Sequence, residues 1–430
     1  MFKPIYTLLL AVFFTSACKS PDTPKEKDDV AFVVNERAKA RIDSTLQTLV
    51  DSGKVMGVSA LIVEKDKEVY FKAFGAADKE AGTPMDRNTI TRIYSMTKPI
   101  TGTALMQLFE QGKFQLDDPL SKYAPEFTDM KVFAGKDASG KMKFEPAKRP
   151  ITIRDLTRHT AGFARTEHPE LGAMVTEADV MNPANTLTQM AEKLANLPLA
   201  FHPGEQWAYG ICVDVQAFLV ERISGQPFDE YLQQHIFDPL KMANTQYVVQ
   251  PTDMNRFAAL YLRSDDEPLK RMPDDQANAF NTKDWALKPG GFGLTSTVDD
   301  YMRFARMLVN EGTFDNATIL KSETVKLMAT NHLDDSVTER MWLPSKGQVG
   351  FGIDFAVRLR PPVSREENNG VVGEFFWDGA ASTLFWVDPE NELTAVLFVQ
   401  IMPFYGPLHK QFRDAIYGAY TPEVVAEAKQ

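Results

Sequence analysis

Apolar and polar positions follow two different periods along this chain, and the switches between them divide it into segments. From about Val34 to Val50, the residues Ile42, Leu46, Leu49 and Val50 recur at helical spacing, which predicts one amphipathic helix. Gly57 to Val63 and Glu68 to Phe74 are β-branched, apolar runs separated by the wholly charged Glu64-Lys65-Asp66-Lys67. Two strands joined by a short polar loop make a hairpin. Between about residues 100 and 285 the period lengthens: Ile100, Ala104, Leu105, Leu108 and Phe109 form one helical stripe, and Val215, Phe218, Leu219 and Ile223 another. Pro- and Gly-rich loops and a charged stretch from Lys131 to Lys148 lie between them, so the region reads as mostly helical with long connections. The strand signal returns in Val371 to Trp377, Ser382 to Val387 and Leu393 to Ile401, with the turn Asp388-Pro389-Glu390-Asn391 between the last two. A final helix is expected over Leu408 to Tyr417. Strands at both chain ends predict one sheet assembled from both termini, with a helical region inserted in the middle.

Composition narrows the function classes. The 430 residues suffice for two or three core-sized units, and 44% hydrophobic with 24% charged residues excludes wholesale disorder. Against 58 acidic side chains stand 47 basic ones, a net charge of −11 with no local basic stripe, which argues against a nucleic-acid surface. The 6 histidines include no pair at i, i+4, so no metal-ligand spacing is present. No internal repeat is evident.

The N-terminus reads as an export signal. Lys3 precedes an apolar run, Ile5 to Phe14, too short to span a bilayer but suited to a signal-peptide core. Thr15, Ser16 and Ala17 lead into Cys18, which resembles a bacterial lipobox, with Thr15 where an aliphatic residue is usual. Lipidation at Cys18 and ordinary cleavage both stay open. Residues 1–17 are expected to be a signal peptide, and 18–33, polar and Pro-containing, a lipidated tether. A catalytic domain is expected over 34–425. With Cys18 lipidated, Cys212 stands alone and no intramolecular disulfide forms.

Several motifs are dismissed. Gly135-Lys136-Asp137-Ala138-Ser139-Gly140-Lys141 matches the start of a P-loop, but Met142 stands where a Ser or Thr is needed and Pro146 interrupts any following helix; it reads as a loop. Gly291-Phe292-Gly293 lacks the third glycine of a dinucleotide fingerprint. Thr297-Val298-Asp299-Asp300 after it looks like a helix cap. No G-x-S-x-G elbow occurs.

One motif survives. Ser95-Met96-Thr97-Lys98 is an S-x-x-K tetrad, of which about one is expected by chance in a chain of this composition; Ser16-Ala17-Cys18-Lys19 is another. Pro99 is tolerated only in the first turn of a helix, which puts the helix start at about Ser95 and Lys98 one turn later on the same face. A serine hydroxyl is a poor nucleophile unless a base takes its proton, and a lysine does so only when neutral. Burial and the positive end of a helix both disfavour an ammonium. The Ser95 amide, at the helix start, is free to donate to a developing oxyanion.

The surroundings carry a resemblance. Arg92-Ile93-Tyr94-Ser95-Met96-Thr97-Lys98-Pro99-Ile100-Thr101 and Gln111-Gly112-Lys113-Phe114-Gln115-Leu116-Asp117-Asp118-Pro119-Leu120 resemble the serine β-lactamase and penicillin-binding-protein-like superfamily. Further similar signatures follow in order: Ile151 to Gly162, Pro203-Gly204-Glu205-Gln206-Trp207-Ala208-Tyr209, Ile236 to Met242, and Gly290 to Thr297. The resemblance spans about residues 35 to 420. It implies an α+β fold of the β-lactamase/transpeptidase type: an antiparallel sheet flanked by terminal helices, plus a helical subdomain, with the site in the cleft between them.

Two departures matter. Tyr209 is followed by Gly210 and Ile211 where class C β-lactamases carry Y-x-N, and Trp377-Asp378-Gly379 aligns where they carry K-T-G. Both features, with Asp214 a few residues after Tyr209, resemble family VIII carboxylesterases and related acyltransferases. The lost lysine removes a cation that anchors a lactam or peptide carboxylate, which favours ester hydrolysis.

The resemblance implies Ser95 as nucleophile, Lys98 as its base and Tyr209 as the relay that protonates the leaving group. It implies an oxyanion hole from the amides of Ser95 and Ala380. Tyr94, Trp377, Asp378 and Gly379 are substrate-pocket candidates; Asp378 is unusual, a small residue being common there. His159 is expected to be a structural hydrogen-bonding residue and Trp207 to pack beneath the Tyr209 loop. The expectation is an exported serine hydrolase cleaving small-molecule esters, held to a membrane by a lipid at Cys18, with no metal or cofactor. The rivals are a β-lactamase or D-alanyl-D-alanine carboxypeptidase, and a non-catalytic lipoprotein of the same fold.

Overall fold

Asn35 starts the first helix: its side-chain oxygen accepts from Ala38 N at 3.1 Å, a cap that satisfies one orphan amide of α1 (Glu36–Asp51). The computed structural model describes Met1 and residues 31–421, so the expected signal-peptide core and Cys18 lie outside the described residues. Two strands follow, β1 (Gly57–Glu64) and β2 (Lys67–Asp78), the expected hairpin, with β3 (Thr83–Pro84) completing that edge. Ser95 lies in a short 3₁₀ turn, Tyr94–Met96, running into α2 (Thr97–Glu110). The helix proper thus begins two residues after Ser95.

Much of the middle is helical, including α3 (Cys212–Ser224) and α4 (Val298–Val309). The charged stretch around Lys131 to Lys148 corrects its expected character as a connection. It forms a hairpin of β4 (Lys131–Lys136) and β5 (Met142–Pro146), and the P-loop-like heptapeptide is its exposed turn. Most β5 side chains are solvent-facing, so no apolar alternation betrays the strand.

The C-terminal part supplies β6 (Val349–Phe351), β7 (Ala356–Arg358), β8 (Phe375–Asp378), β9 (Leu384–Asp388), β10 (Leu393–Val399) and α5 (Gly406–Tyr417). With the N-terminal strands they form one eight-stranded antiparallel sheet in the order β6-β7-β8-β9-β10-β1-β2-β3. The two chain ends meet where β10 pairs with β1, Leu61 opposite Val396. β6 and β7 were not anticipated; three residues each are too few to show a period.

Helices cover both faces because every β1 and β10 side chain is buried, which leaves no polar face for water. α1 and α5 pack together, with the Arg41 guanidinium donating to the C-terminal carbonyls of Ala415 (3.0 Å) and Ile416 (3.1 Å). α4 covers β10, β1 and β9, and its Tyr301 ring packs on Phe385 at 5.0 Å. The Tyr301 hydroxyl donates to Met96 O at 2.8 Å, which ties the Ser95 turn to α4 and the sheet beneath it. Among the described residues no helix is long and apolar enough to cross a membrane.

Candidate active site

Three residues on one face of α2 stitch it to the segment Gly290–Leu294. Thr101 Oγ1 donates to Gly290 O (2.8 Å), Lys98 Nζ to Gly291 O (2.6 Å), and Leu294 N to Thr97 Oγ1 (3.4 Å). This holds Lys98, a buried residue, with its Nζ 3.2 Å from Ser95 Oγ. The Tyr209 ring centroid lies 4.6 Å from the same nitrogen. Ser95, Lys98 and Tyr209, 114 positions apart in sequence at the extremes (209 − 95), therefore converge.

The close approach of Gly291 is a requirement of the site. A Cβ there would lie 2.9 Å from Asp214 Oδ2 and 3.2 Å from Lys98 Nζ. Its amide donates to Asp214 Oδ1 at 2.9 Å, so one glycine residue links the lysine to a buried carboxylate. Burial pushes the Asp214 carboxyl up, while the nearby Lys98 charge and the Gly291 amide pull it down. A second buried acid, Asp354, fills the space that a Cβ on Gly102 would need. Its Oδ1 accepts from Gln216 Nε2 at 3.1 Å, and burial drives it well above the usual carboxylate range. In the sequence, Asp214 and the Gly290 to Thr297 segment stand out only as parts of the resemblance, and Asp354 carries no signal.

Tyr209 is held by aromatic rings. Trp207 stacks on it (6.0 Å, 23°), and Trp342, Trp377 and His159 lie at 5.0, 5.4 and 4.9 Å. The Trp377 indole N–H donates to the Tyr209 hydroxyl oxygen at 3.3 Å. Below the ring, the Tyr209 amide meets Met341 Sδ at 3.2 Å and the Tyr209 carbonyl accepts from Arg165. His159 is fully buried, and burial drives its imidazole well below the usual value. Neither ring nitrogen finds a hydrogen-bond partner among the described residues, which corrects the expected hydrogen-bonding role. It is a packing ring between Trp207, Tyr209 and Phe351.

The turn after β8 closes the site. Gly379 packs so tightly that a Cβ would sit 2.5 Å from Ile93 O, which brings Ala380 alongside the 3₁₀ turn of Ser95. Neither the Ser95 nor the Ala380 amide bonds a protein acceptor among the described residues. Both Ser95 and Ala380 are half-buried. Tyr94, at φ +44°, packs against Leu260, Ala277 and Ala381, and lines a cavity of about 180 Å³ with Phe280 and Phe292. Residues in that left-handed region are strained when they carry a Cβ.

Asp378 departs from its expected place in a substrate pocket. Strand alternation turns Trp377 toward Tyr209 and Asp378 the other way, toward α5, where it is ion-paired with Lys346 and lies 3.8 Å from His409 Nδ1. The carboxylate is neutralised behind the sheet instead of facing the cleft. Lys346 had no signal in the sequence.

An antiparallel sheet built from both chain ends, with serine and lysine one turn apart beside a tyrosine, defines the β-lactamase/transpeptidase-like fold class. The chain belongs to the Beta-lactamase family, whose model matches residues 42–417. An uncharacterized protein of Mycobacterium tuberculosis is 32% identical over 365 residues, 84% of this chain and 89% of that one. The lovastatin esterase of Penicillium rubens is 29% identical over 410 residues, 88% and 98% of the two chains. Among solved structures, EstCE1, a hydrolase with promiscuous acyltransferase activity, superposes with a TM-score of 0.72 at 26% identity, covering 89% of this chain and 99% of its own. The family and its esterase and acyltransferase members support a serine-hydrolase or acyl-transfer activity.

Proposed function

We propose that this protein cleaves carboxylic esters through an acyl-enzyme on Ser95. The observation that carries the reading is Lys98 Nζ at 3.2 Å from Ser95 Oγ, with the Tyr209 ring over the same nitrogen. In the proposed acylation, Lys98 takes the Ser95 proton as Oγ bonds the ester carbonyl carbon. The carbonyl electron pair moves onto oxygen, which the Ser95 and Ala380 amides receive. The pair returns, the C–O bond to the alcohol breaks, and Tyr209 passes a proton to the departing oxygen. Water then repeats the sequence on the acyl-enzyme, with the proton flow reversed.

Two further observations support esters over β-lactams. The position of the K-T-G lysine is Trp377, and the nearby Lys346 ammonium is engaged by Asp378. Arg165, below Tyr209, is engaged by the Tyr209 carbonyl and Glu167. A lactam carboxylate therefore has to compete with partners already in place. Export, with a lipid on Cys18, belongs to the same proposal and is read by labelling cells with a palmitate analogue in wild type and Cys18→Ser.

The deciding experiment compares p-nitrophenyl butyrate turnover by wild type and Ser95→Ala. The expected result is turnover abolished in the variant and an acyl adduct on Ser95 by mass spectrometry. Equal turnover in both overturns the mechanism. Hydrolysis of a chromogenic cephalosporin in preference to esters reverses the substrate order.

A further inference from the structure

We propose that Lys346 is a positioning residue that sets both the Tyr209 ring and the Ala380 amide through one short segment, Met341–Lys346. The inference rests on the acyl-transfer reading of the site above. At one end of the segment Met341 Sδ meets the Tyr209 amide at 3.2 Å, and the Trp342 ring stands edge-on to Tyr209 at 5.0 Å. At the other end Lys346 pairs with Asp378, the residue two before Ala380. Six residues thus touch both Tyr209 and the strand end that leads into Ala380.

The pairing is built to be stiff. Both side chains are 10% exposed, so either charge left alone would be a buried, uncompensated ion. The Lys346 ammonium also lies 5.3 Å from the Trp342 ring, 5.5 Å from Trp377 and 4.6 Å from Phe404, and cation–π attraction adds to the hold. Asp378 acts from behind, because its side chain faces α5 while Trp377 faces the cleft. Directly after it, the turn is closed by Gly379 N to Thr383 O (3.0 Å) and Ser382 N to Gly379 O (2.9 Å). His409, from α5, bonds Ser382 O at 2.8 Å and completes the back wall. The turn that carries the Ala380 amide is therefore anchored at Asp378 and at Ser382, and Lys346 links the first anchor to Tyr209. An acidic residue at the middle of Trp377-Asp378-Gly379 is explained as the partner of this lysine.

The test uses the full chain and Lys346→Met, Asp378→Asn, Lys346→Arg and the neutral double variant Lys346→Met/Asp378→Asn. Steady-state hydrolysis of p-nitrophenyl butyrate, thermal unfolding and hydrogen–deuterium exchange are read on each. The expected result is a kcat lowered about 10- to 100-fold in Lys346→Met, the size of effect that displacement of a reacting group by about 1 Å produces, with KM changed far less. Lys346→Arg recovers most of the rate. The double variant regains the thermal midpoint, since no buried charge is left alone, while its kcat stays low. A kcat that follows the thermal midpoint through the series, or one unchanged in Lys346→Met, overturns the inference. Hydrogen exchange decides it independently of turnover: Lys346→Met speeds exchange in both 207–211 and 378–382, and no change in either segment overturns it. Absence of any Ser95-dependent turnover in wild type would overturn the ester reading and leave the exchange result to stand by itself.

Discussion

Lys98 and Asp214 hold the two peptide groups that flank the Gly291 Cα: the Gly291 carbonyl accepts from Lys98 Nζ at 2.6 Å and the Gly291 amide donates to Asp214 Oδ1 at 2.9 Å. The lysine is therefore aimed by a backbone carbonyl whose own orientation is set by a buried carboxylate. Only a residue without a side chain leaves the room this needs.

Gly291→Ala tests that relationship. The new Cβ would lie within 2.9 Å of Asp214 and 3.2 Å of Lys98, so the peptide must shift and Lys98 loses its aim. We expect kcat to fall by about 100-fold, the cost of a small misplacement of a reacting group, with a folded circular dichroism spectrum. Wild-type kcat in this variant would show that the carbonyl does not orient the lysine.

Trp377→Phe removes the indole N–H that reaches the Tyr209 hydroxyl at 3.3 Å and keeps most of the ring packing. A hydrogen bond of ordinary net strength, about 1 kcal/mol, corresponds to roughly a fivefold loss in kcat. Steady-state kinetics on p-nitrophenyl butyrate read it, and a loss confined to KM would assign Trp377 to substrate packing instead.

Tyr301→Phe tests how the Ser95 turn is held. The hydroxyl donates to Met96 O at 2.8 Å inside the core, and its loss removes one of the bonds to a carbonyl that also caps the start of α2. We expect about 1 kcal/mol less stability in urea unfolding. The rate of Ser95 labelling by a fluorophosphonate should fall with it; unchanged labelling would mean that the turn keeps its geometry without this bond.

Acid sensitivity should carry a signature of His409. Burial holds its imidazole down to about 4, the neighbouring Asp378 charge pulling the other way, while an unfolded histidine titrates near 6.5. Between those values the unfolded chain binds the extra proton, so stability falls as pH drops from about 6.5 to about 4 and is flat above. The contribution lost is about 3 kcal/mol. Urea unfolding across this range should show a shallower decline in His409→Gln, and parallel curves would remove His409 as a source of the slope.

Much of the fold was legible in local pattern. The β1–β2 hairpin announced itself because its strands are apolar and its loop is four charged residues; the strands on either side of the Asp388-Pro389-Glu390-Asn391 turn did the same. The β4–β5 hairpin did not, because its second strand is solvent-facing and its pairing is maintained by backbone bonds that any side chain permits. His159 was misjudged for a related reason: a buried histidine ordinarily seeks hydrogen bonds, and only the enclosing rings of Trp207, Tyr209 and Phe351 reveal a neutral packing residue.

The sequence by itself determined the serine–lysine pair, since a spacing of three residues and a following proline confine both side chains to the 3₁₀ turn and the first turn of the helix it enters. It determined the sheet-forming segments at the two chain ends for the same reason: period and turn chemistry act over a few residues. Tertiary structure alone decided what surrounds them. Gly291 reaches Lys98 across 193 positions, Lys346 meets Asp378 across 32, and Trp377 meets Tyr209 across 168. Such partners are selected by chain packing, and nothing in the local pattern of either residue encodes the distance at which the other will arrive.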